Sequence, residues 1–257
     1  MHYALITGAS KGIGKAIAVE LAKKNYNVLL LARSGELLEQ LAAELKEKYG
    51  VQTAYLAIDL SITDADEKIF NWCKSNQYTV NILVNNAGYG LAGPFDRYSK
   101  KENAALIQVN IISLMQLCQA FLPMLKAQPR SYILNIASSS AYQSVPMLNL
   151  YSSSKAFVLH FSRSLSHELK GTTVSVTAVS PGPTDTDFPN RAQMKEKTKK
   201  TASKLHATPE SVAVIAVTAM LAGKREVVTG FINKLGVFLV WLLPKSFVEK
   251  TAAGIYK

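Results

Sequence analysis

Short apolar runs and longer amphipathic segments alternate along almost the whole chain. In the longer segments apolar residues recur at three- and four-residue steps, which is typical of helices with one buried face. Strands that alternate with helices in this way predict βαβ units and a parallel sheet. The runs that we interpret as buried strands are YALIT, NVLLLA, TAYLAI, NILVNNA, YILNIAS, VSVTAVS and EVVTG. The pattern therefore predicts an α/β protein with a doubly wound parallel sheet of about seven strands and helices on both faces.

The composition is that of one folded unit. The chain has 257 residues, of which 48% are apolar and 18% charged, and this is enough apolar material to bury a core. No internal repeat and no linker rich in proline and glycine divides the chain, so we predict a single domain over residues 1–257. Two local signals mark helix starts, namely Ser34 before Gly35 and Thr208 before Pro209.

The net charge of +11 raises the question of a polyanionic partner. Most lysines lie in helical segments such as ELKEKYG, where acidic neighbours balance them, so we expect no nucleic-acid partner. Cys73 and Cys118 have no cysteine or histidine neighbour at ligand spacing, and we expect neither a disulfide nor a metal site. Because MHYALITGAS runs directly into a strand without the features of a signal peptide, we expect a cytoplasmic protein.

The C-terminal tail, residues 234–257, is unusually apolar and is predicted to be helical. Every residue from Leu235 to Leu243 is apolar or glycine, but this run is too short for a bilayer span, which needs about 20 residues. We favour packing on the core or on another subunit. The alternatives are the lining of a substrate pocket and, less favoured, shallow membrane contact aided by the flanking lysines.

A glycine-rich turn, TGASKGIG, follows the first strand and opens the first helix. Gly8, Gly12 and Gly14 allow a tight turn that brings the backbone close to a pyrophosphate, which then meets the free N–H groups of the helix. This placement predicts dinucleotide binding. Arg33 rather than an acid ends the second strand, and Lys11 lies inside the turn. Both cations favour a ribose 2′-phosphate, and hence NADP(H) over NAD(H).

The segment YSSSK places Tyr151 and Lys155 four residues apart, on one face of a predicted helix. A nearby ammonium favours the phenolate and draws the pKa of the tyrosine toward the working pH, so the pair is a candidate general acid for a carbonyl. The segment IASSSA, at the end of the fifth strand, offers Ser138, Ser139 and Ser140 as donors to the same oxygen. The residues alone do not choose among the three serines.

Several short motifs follow one another along the chain: TGASKGIG, DL at 59–60, NNAG at 85–88, Asn110, Ser138, YSSSK and PGPTDT at 181–186. In this order they resemble the short-chain dehydrogenase/reductase family over nearly the whole chain, and the resemblance implies its Rossmann-type fold. Within the family the chain resembles bacterial short-subunit oxidoreductases related to 3-oxoacyl-carrier-protein reductases and hydroxysteroid dehydrogenases.

The resemblance implies a role for each catalytic candidate. The serine thirteen residues before the tyrosine, Ser138, binds the substrate oxygen that Tyr151 protonates. Lys155 also holds the nicotinamide ribose, and Asn110 anchors a water that links Lys155 to solvent. Without the resemblance, Asn110 would be interpreted as an exposed or locally bonded helical residue, because asparagine is a poor helix former.

The resemblance also implies where the cofactor lies. Asp59 receives the adenine amino group, Leu60 packs beside the ring, and the NNAG segment passes the nicotinamide ribose. Pro181 and Gly182 form the floor beside the nicotinamide, and one of the next two threonines bonds the carboxamide or a phosphate. The predicted cofactor contacts are Gly8, Ser10, Lys11, Gly12, Ile13, Gly14, Arg33, Asp59, Leu60, Asn86, Ala87, Gly88, Tyr151, Lys155, Pro181, Gly182, Thr184 and Thr186.

Together these features predict an NADPH-dependent oxidoreductase that reduces a small or carrier-bound apolar ketone to an alcohol, with a 3-oxoacyl thioester as one candidate substrate. A polar segment near 187–207 is predicted to close over the substrate as a lid. Its lysines form either a solvated face or a site that attracts an anionic carrier. We also expect a homo-oligomer, a dimer or tetramer. The alternative function is a non-catalytic NADP(H)-binding redox sensor or assembly subunit, which would not need the proton relay.

Overall fold

A seven-stranded parallel sheet forms the centre of the molecule, with the strand order β3-β2-β1-β4-β5-β6-β7. The computed structural model describes residues 2–194 and 207–256. The strands are β1 (His2–Thr7), β2 (Asn27–Ala32), β3 (Thr53–Ala57), β4 (Thr79–Asn85), β5 (Ser131–Ile136), β6 (Val174–Ser180) and β7 (Glu226–Val228). The order reverses between β1 and β4, as in a doubly wound sheet, so the predicted fold class is confirmed.

Helices connect the strands and account for most of the remaining described chain. They are α1 (Gly12–Lys23), α2 (Gly35–Tyr49), α3 (Ala65–Ser75), α4 (Lys100–Ile107), α5 (Ser113–Lys126), α6 (Asn149–Glu168), α7 (Phe188–Arg191), α8 (Pro209–Leu221), α9 (Phe231–Leu242) and α10 (Lys245–Tyr256). Of the two predicted caps, Thr208 accepts a hydrogen bond from the Ser211 N–H at 3.2 Å. Ser34 stands at the N-cap position of α2, but its side chain makes no capping hydrogen bond.

Two apolar cores cover the two faces of the sheet. The first lies between the sheet and α1, α2 and α8, and the second lies between the sheet and α3, α5 and α6. Neighbouring residues of one strand serve different cores: Leu30 of β2 faces the first and Leu29 faces the second. Because both faces of the strands are buried, their sequences are continuous apolar runs rather than alternating ones.

The longest helical run joins α4 and α5 through a π turn at Gln108–Ile112, and it extends from Lys100 to Lys126. By length and apolar composition alone this run could cross a membrane. Its residues Leu117, Phe121 and Leu125 are buried in the second core, so it is a core helix of the sheet.

The C-terminal tail forms two helices rather than one, because Pro244 ends the apolar run after α9. The first of them begins at Phe231, before the predicted start of the tail at residue 234. None of the twelve residues of α9 is buried, whereas Val248 and Ala252 of α10 are. The favoured prediction for this run was packing on the core or on another subunit. Burial in the core is wrong for α9. Contact with another subunit stays a prediction.

Candidate active site

The glycine-rich turn between β1 and α1 is closed tightly against the turn that follows β4. Gly8 and Gly12 have φ angles of 65° and 55°, in the left-handed region that favours glycine. A Cβ atom on Gly14 would collide with the Gly8 carbonyl oxygen and with the Asn86 side-chain amide. The backbone is therefore bare at the place where a pyrophosphate would approach the first N–H groups of α1.

Thr7 and Asn86 hold these two turns together. The Thr7 hydroxyl accepts hydrogen bonds from the N–H groups of Asn86 at 3.0 Å and Ala87 at 3.1 Å. Asn86 Nδ2 donates to the carbonyl oxygens of Thr7 at 2.9 Å and Gly8 at 3.2 Å. The predicted cofactor residue Asn86 thus positions the glycine-rich turn. Thr7 was not predicted, although it opens the TGASKGIG motif and that position could have signalled it.

The other predicted residues of the glycine-rich turn differ in exposure. Ser10 is half-buried, Lys11 is exposed, and Ile13 packs against the first core. The N–H of Ala9 donates to the Leu31 carbonyl oxygen at 3.0 Å, which fixes the turn to the end of β2.

The expected binding cleft lies outside the carboxyl ends of the strands, with the adenosine at one end and the reacting groups at the other. Charged side chains gather at the end where the sequence predicts the adenosine. Arg33 follows β2 and is exposed. Burial raises the pKa of the Asp59 carboxyl, but hydrogen bonds from Ser61 and the charges of Arg33 and Arg191 outweigh it, so this pKa lies below its usual value. Leu60 is buried in the second core, so little of its side chain remains to contact an adenine ring.

Arg191, the last residue of α7, is a further cation at this end of the cleft. The prediction assigned it only to the lysine-rich lid. Its guanidinium carbon lies 4.4 Å from the centre of the Tyr89 ring, and burial, followed by the charge of Arg33, lowers its pKa. The position of Arg191 depends on the path of a connection between elements, so no helix or strand pattern could have placed it there.

Lys155 lies at the other end of the cleft, inside the protein. It is 4% exposed, and its ammonium donates a hydrogen bond to the Ile136 carbonyl oxygen, at the end of β5, at 2.8 Å. Burial lowers the pKa of Lys155 to about 8. Its Nζ atom lies 5.8 Å from the centre of the Tyr151 ring, one turn earlier on α6. The predicted pair therefore shares one helix face, with the ammonium beside the phenol ring.

Asn110 lies within the π turn and is 1% exposed, so the interpretation of it as an exposed or locally bonded helical residue is wrong. Its Oδ1 accepts from the Tyr89 N–H at 3.0 Å, and its Nδ2 donates to the Tyr89 carbonyl oxygen at 2.9 Å and to Ser154 Oγ at 3.0 Å. A Cβ atom on Gly88 would lie 3.2 Å from both Asn110 Oδ1 and Lys155 Nζ. Asn110, Lys155 and the turn after β4 therefore meet at one point.

Ser138 and Tyr151 are the other two predicted catalytic residues, at the same end of the cleft as Lys155 and Asn110. The Ser138 hydroxyl oxygen accepts hydrogen bonds from the Ser140 N–H at 3.1 Å and the Ser140 hydroxyl at 3.0 Å, an arrangement in which its own hydrogen can be donated to a substrate oxygen. The Tyr151 ring packs against Phe188, with 4.9 Å between ring centres. Phe188 was not predicted. It is the first residue of α7, which lies in the connection after β6, and no helix or strand pattern indicates that it reaches Tyr151.

The loop after β6 runs from Ser139 to the glycine-rich turn. The Pro181 carbonyl oxygen accepts from the Ser139 N–H at 2.8 Å, and a Cβ atom on Gly182 would collide with the Asn233 side chain. The Thr184 hydroxyl donates to the Gly182 carbonyl oxygen at 3.0 Å. Thr186 instead adjoins the glycine-rich turn, because a Cβ atom on Gly12 would lie 3.0 Å from its methyl group. Of the two threonines, Thr186 is the better placed for a phosphate.

The described part of the predicted lid, residues 187–194, contacts several parts of the cleft. Lys11 Nζ lies 3.9 Å from Asp187 Oδ2, and the Ala92 N–H donates to the Ala192 carbonyl oxygen at 2.9 Å. Together with the ring contacts of Phe188 and Arg191, these interactions hold the segment across the cleft. The lysine-rich part of the segment, 195–206, lies outside the described residues, so its role as a lid or carrier site stays a prediction.

The sheet, the glycine-rich turn and the cluster around Lys155 together have counterparts among known proteins. A model of the short chain dehydrogenase family matches residues 2–197. The chain belongs to the short-chain dehydrogenase family. The resemblance inferred from the order of the motifs is therefore confirmed at the level of the family, whereas the bacterial origin that it suggested stays a prediction.

Similar sequences within the family include very-long-chain 3-oxoacyl-CoA reductases. Reductase-A of Danio rerio is 39% identical over 183 residues, which cover 70% of this chain and 57% of that protein. The Mus musculus enzyme is 36% identical over 188 residues, which cover 70% of this chain and 58% of that protein. The chain thus spans less than two thirds of the length of these relatives.

Solved structures of the family have the same fold. A 7beta-hydroxysteroid dehydrogenase superposes with a TM-score of 0.82 at 27% identity, over 92% of this chain and 90% of that chain. A short-chain dehydrogenase from Sphingobium yanoikuyae in complex with NADPH gives a TM-score of 0.79 at 29% identity, over 89% of this chain and 87% of that chain.

Proposed function

We propose that the protein is an NADPH-dependent oxidoreductase that reduces the ketone of a 3-oxoacyl thioester to a secondary alcohol. The observation that carries the proposal is the buried ammonium of Lys155, bonded to the Ile136 carbonyl oxygen beside Tyr151. Burial lowers the pKa of Lys155, which means that a charged lysine here makes the folded state less stable. A protein that only binds a dinucleotide could use Lys155 for the nicotinamide ribose, but it would not need Tyr151 and Ser138 beside it as a proton donor and a hydrogen-bond donor.

The residues present fit NADP(H). The glycine-rich turn can bring its backbone close to the pyrophosphate, because the left-handed φ angles of Gly8 and Gly12 favour residues without a side chain. Arg33 and Arg191 would hold the 2′-phosphate, and Lys11 would add positive charge from the turn. Lys155 would hold the nicotinamide ribose. When bound, the reduced nicotinamide supplies the hydride.

The chain's own residues supply the proton and orient the substrate. The Tyr151 hydroxyl donates its proton to the carbonyl oxygen of the ketone, and the Lys155 ammonium favours the phenolate that remains. Ser138 donates a hydrogen bond to the same oxygen and fixes its position. Asn110 holds the backbone of Tyr89 beside Lys155. The predicted water that links Lys155 to solvent through Asn110 stays part of the proposal.

A 3-oxoacyl thioester is favoured as substrate because the reductases of Danio rerio and Mus musculus are more similar in sequence to this chain than the hydroxysteroid dehydrogenase is. The homo-oligomeric state and the cytoplasmic location stay predictions.

The test is NADPH-coupled turnover of 3-oxoacyl-CoA thioesters of short, medium and long acyl chains, compared with a hydroxysteroid ketone and a small diketone. We expect the highest kcat/KM for a thioester. Faster turnover of the steroid or the diketone would contradict the proposed substrate. Tight NADPH binding without turnover of any of these ketones would instead support the redox sensor.

A further inference from the structure

Helix α9 carries an apolar surface that the rest of the described chain leaves exposed. Phe231 is 80% exposed and Trp241 is 75% exposed. The exposed apolar side chains of this helix are Phe231, Ile232, Leu235, Phe238, Leu239, Trp241 and Leu242. We call this set the α9 surface. The other short apolar helix, α8, differs in that Val212, Ala216 and Val217 are buried in contact with the rest of the protein. Apolar composition therefore does not by itself leave a helix of this protein uncovered.

The exposed side chains cover one side of the helix. Each residue advances about 100° around the axis, so Phe231, Leu235, Phe238 and Leu242 form a line along the helix. The remaining members of the α9 surface flank this line on both sides. The opposite side of α9 faces the protein, where the Asn233 side chain lies so close to Gly182 that a Cβ atom on that glycine would collide with it. The exposed apolar face of the helix therefore points outward.

The charges around the α9 surface are mostly positive. Lys234, Lys245 and Lys250 are exposed, and Glu249 is the only acidic residue of the described chain after Glu226. The whole chain carries a net charge of +11. With twelve residues, α9 is about 18 Å long, much shorter than the hydrocarbon core of a bilayer at about 30 Å. The helix can therefore lie in a membrane surface but cannot span it.

We propose that α9 docks this protein on an anionic lipid bilayer, with the α9 surface in the boundary between headgroups and acyl chains. Exposed tryptophan and phenylalanine side chains suit this boundary, and flanking lysines are attracted by anionic headgroups. A second copy fits less well, because a symmetric interface would bring the lysines of one copy close to those of the other. The docking is independent of the proposed reaction.

The test is vesicle flotation of the full-length protein, together with Trp241 fluorescence in a Trp72→Phe background. Vesicles consist of phosphatidylcholine, alone or with roughly one third phosphatidylglycerol. We expect binding to the anionic vesicles with a blue shift of the Trp241 emission, and weaker binding at about 0.5 M salt. The double variant Phe238→Ser/Leu242→Ser should bind the anionic vesicles at least about tenfold more weakly than the parent protein. Because both residues are exposed, this variant should keep the melting temperature of the parent protein.

The matched control is Val214→Ser/Ile215→Ser, which changes two exposed apolar residues of α8. It should bind vesicles as the parent protein does. The proposal is overturned by no binding to anionic vesicles, by equal binding to neutral vesicles at every salt concentration, or by an equal loss in the control. A second outcome also overturns it: the parent protein does not bind vesicles, and Phe238→Ser/Leu242→Ser converts an oligomer to a monomer. Helix α9 would then join copies of the chain.

Discussion

At one end of the cleft the Lys155 ammonium is buried and donates to one carbonyl oxygen, whereas at the other end Arg33 and Lys11 carry their charges in solvent. A buried charge acts strongly on its neighbours and is held in one geometry. An exposed charge acts through water, and salt weakens its effect. The difference implies that changes at the buried end alter the rate of the reaction, with a further loss of cofactor affinity at Lys155, while changes at the exposed end alter cofactor affinity alone.

Tyr151→Phe should give the largest effect. The ring and its packing on Phe188 remain, but the proton donor is lost, so kcat should fall about 1,000-fold while the Kd for NADPH changes little. Stopped-flow reduction and fluorescence titration measure the two quantities. The control is Tyr55→Phe on β3, an exposed tyrosine whose loss should leave kcat unchanged. Undiminished turnover by Tyr151→Phe would show that Tyr151 is not the acid.

The stability of the protein without cofactor should depend on pH through Lys155. Its pKa is about 8 in the folded state and about 10.4 in an unfolded chain, so between these values the unfolded state binds more protons. The free energy of unfolding should therefore rise with pH across this window, by about 3 kcal/mol in total, and it should be lowest below pH 8.

Urea unfolding of the parent protein and of Lys155→Met measures this dependence. Other titrating groups contribute equally to both proteins, so their difference isolates Lys155. Between pH 7 and pH 10 the parent protein should gain stability relative to the variant. Parallel curves for the two proteins would mean that Lys155 titrates in the folded state as it does in water.

Arg33→Ala tests the exposed end. We expect a tenfold to hundredfold rise in the KM for NADPH (roughly 1.4–2.7 kcal/mol), little change in kcat, and little change in the KM for NADH. The effect should shrink at high salt. Arg130→Ala, an exposed arginine before β5, is the control and should change neither constant. A preference for NADH that Arg33→Ala leaves unaltered would contradict the choice of NADP(H).

Arg191→Met should give the smallest effect. The methionine keeps apolar contact with the Tyr89 ring but removes the charge beside Arg33, so the KM for NADPH should rise about two- to fivefold. Arg191→Lys keeps the charge and should restore most of the affinity. If both variants lose equal affinity, the stacked guanidinium plane matters rather than the charge.

Much of the fold and part of the site could be predicted from local sequence. Strands β2 and β6 have the bounds of the apolar runs NVLLLA and VSVTAVS, because a buried parallel strand leaves a continuous apolar run. The Tyr151 and Lys155 pair also follows from helical spacing. The burial of Lys155 could not be predicted in this way, because it depends on β5 and on the turn after β4, which are distant in sequence.

Features that depend on the path of the chain in space were missed. Phe188 and Arg191 reach opposite ends of the cleft from one short connection, and nothing in their local sequence indicates a partner. The apolar run from Leu235 to Leu243 was predicted to pack on the core or on another subunit, since burial is the usual state of such a run, but it lies exposed in the described chain.

The π turn at Gln108–Ile112 gives one continuous helix two registers. Before and after the turn the helix has its ordinary repeat, so the extra residue rotates one half relative to the other. Deletion of a single residue from the turn would restore a regular helix but would rotate one half by about 100°. Either the Asn110 amide would then turn away from Tyr89, or Leu117 and Phe121 would turn away from the sheet. The interruption thus allows one helix to serve the cleft and the core together.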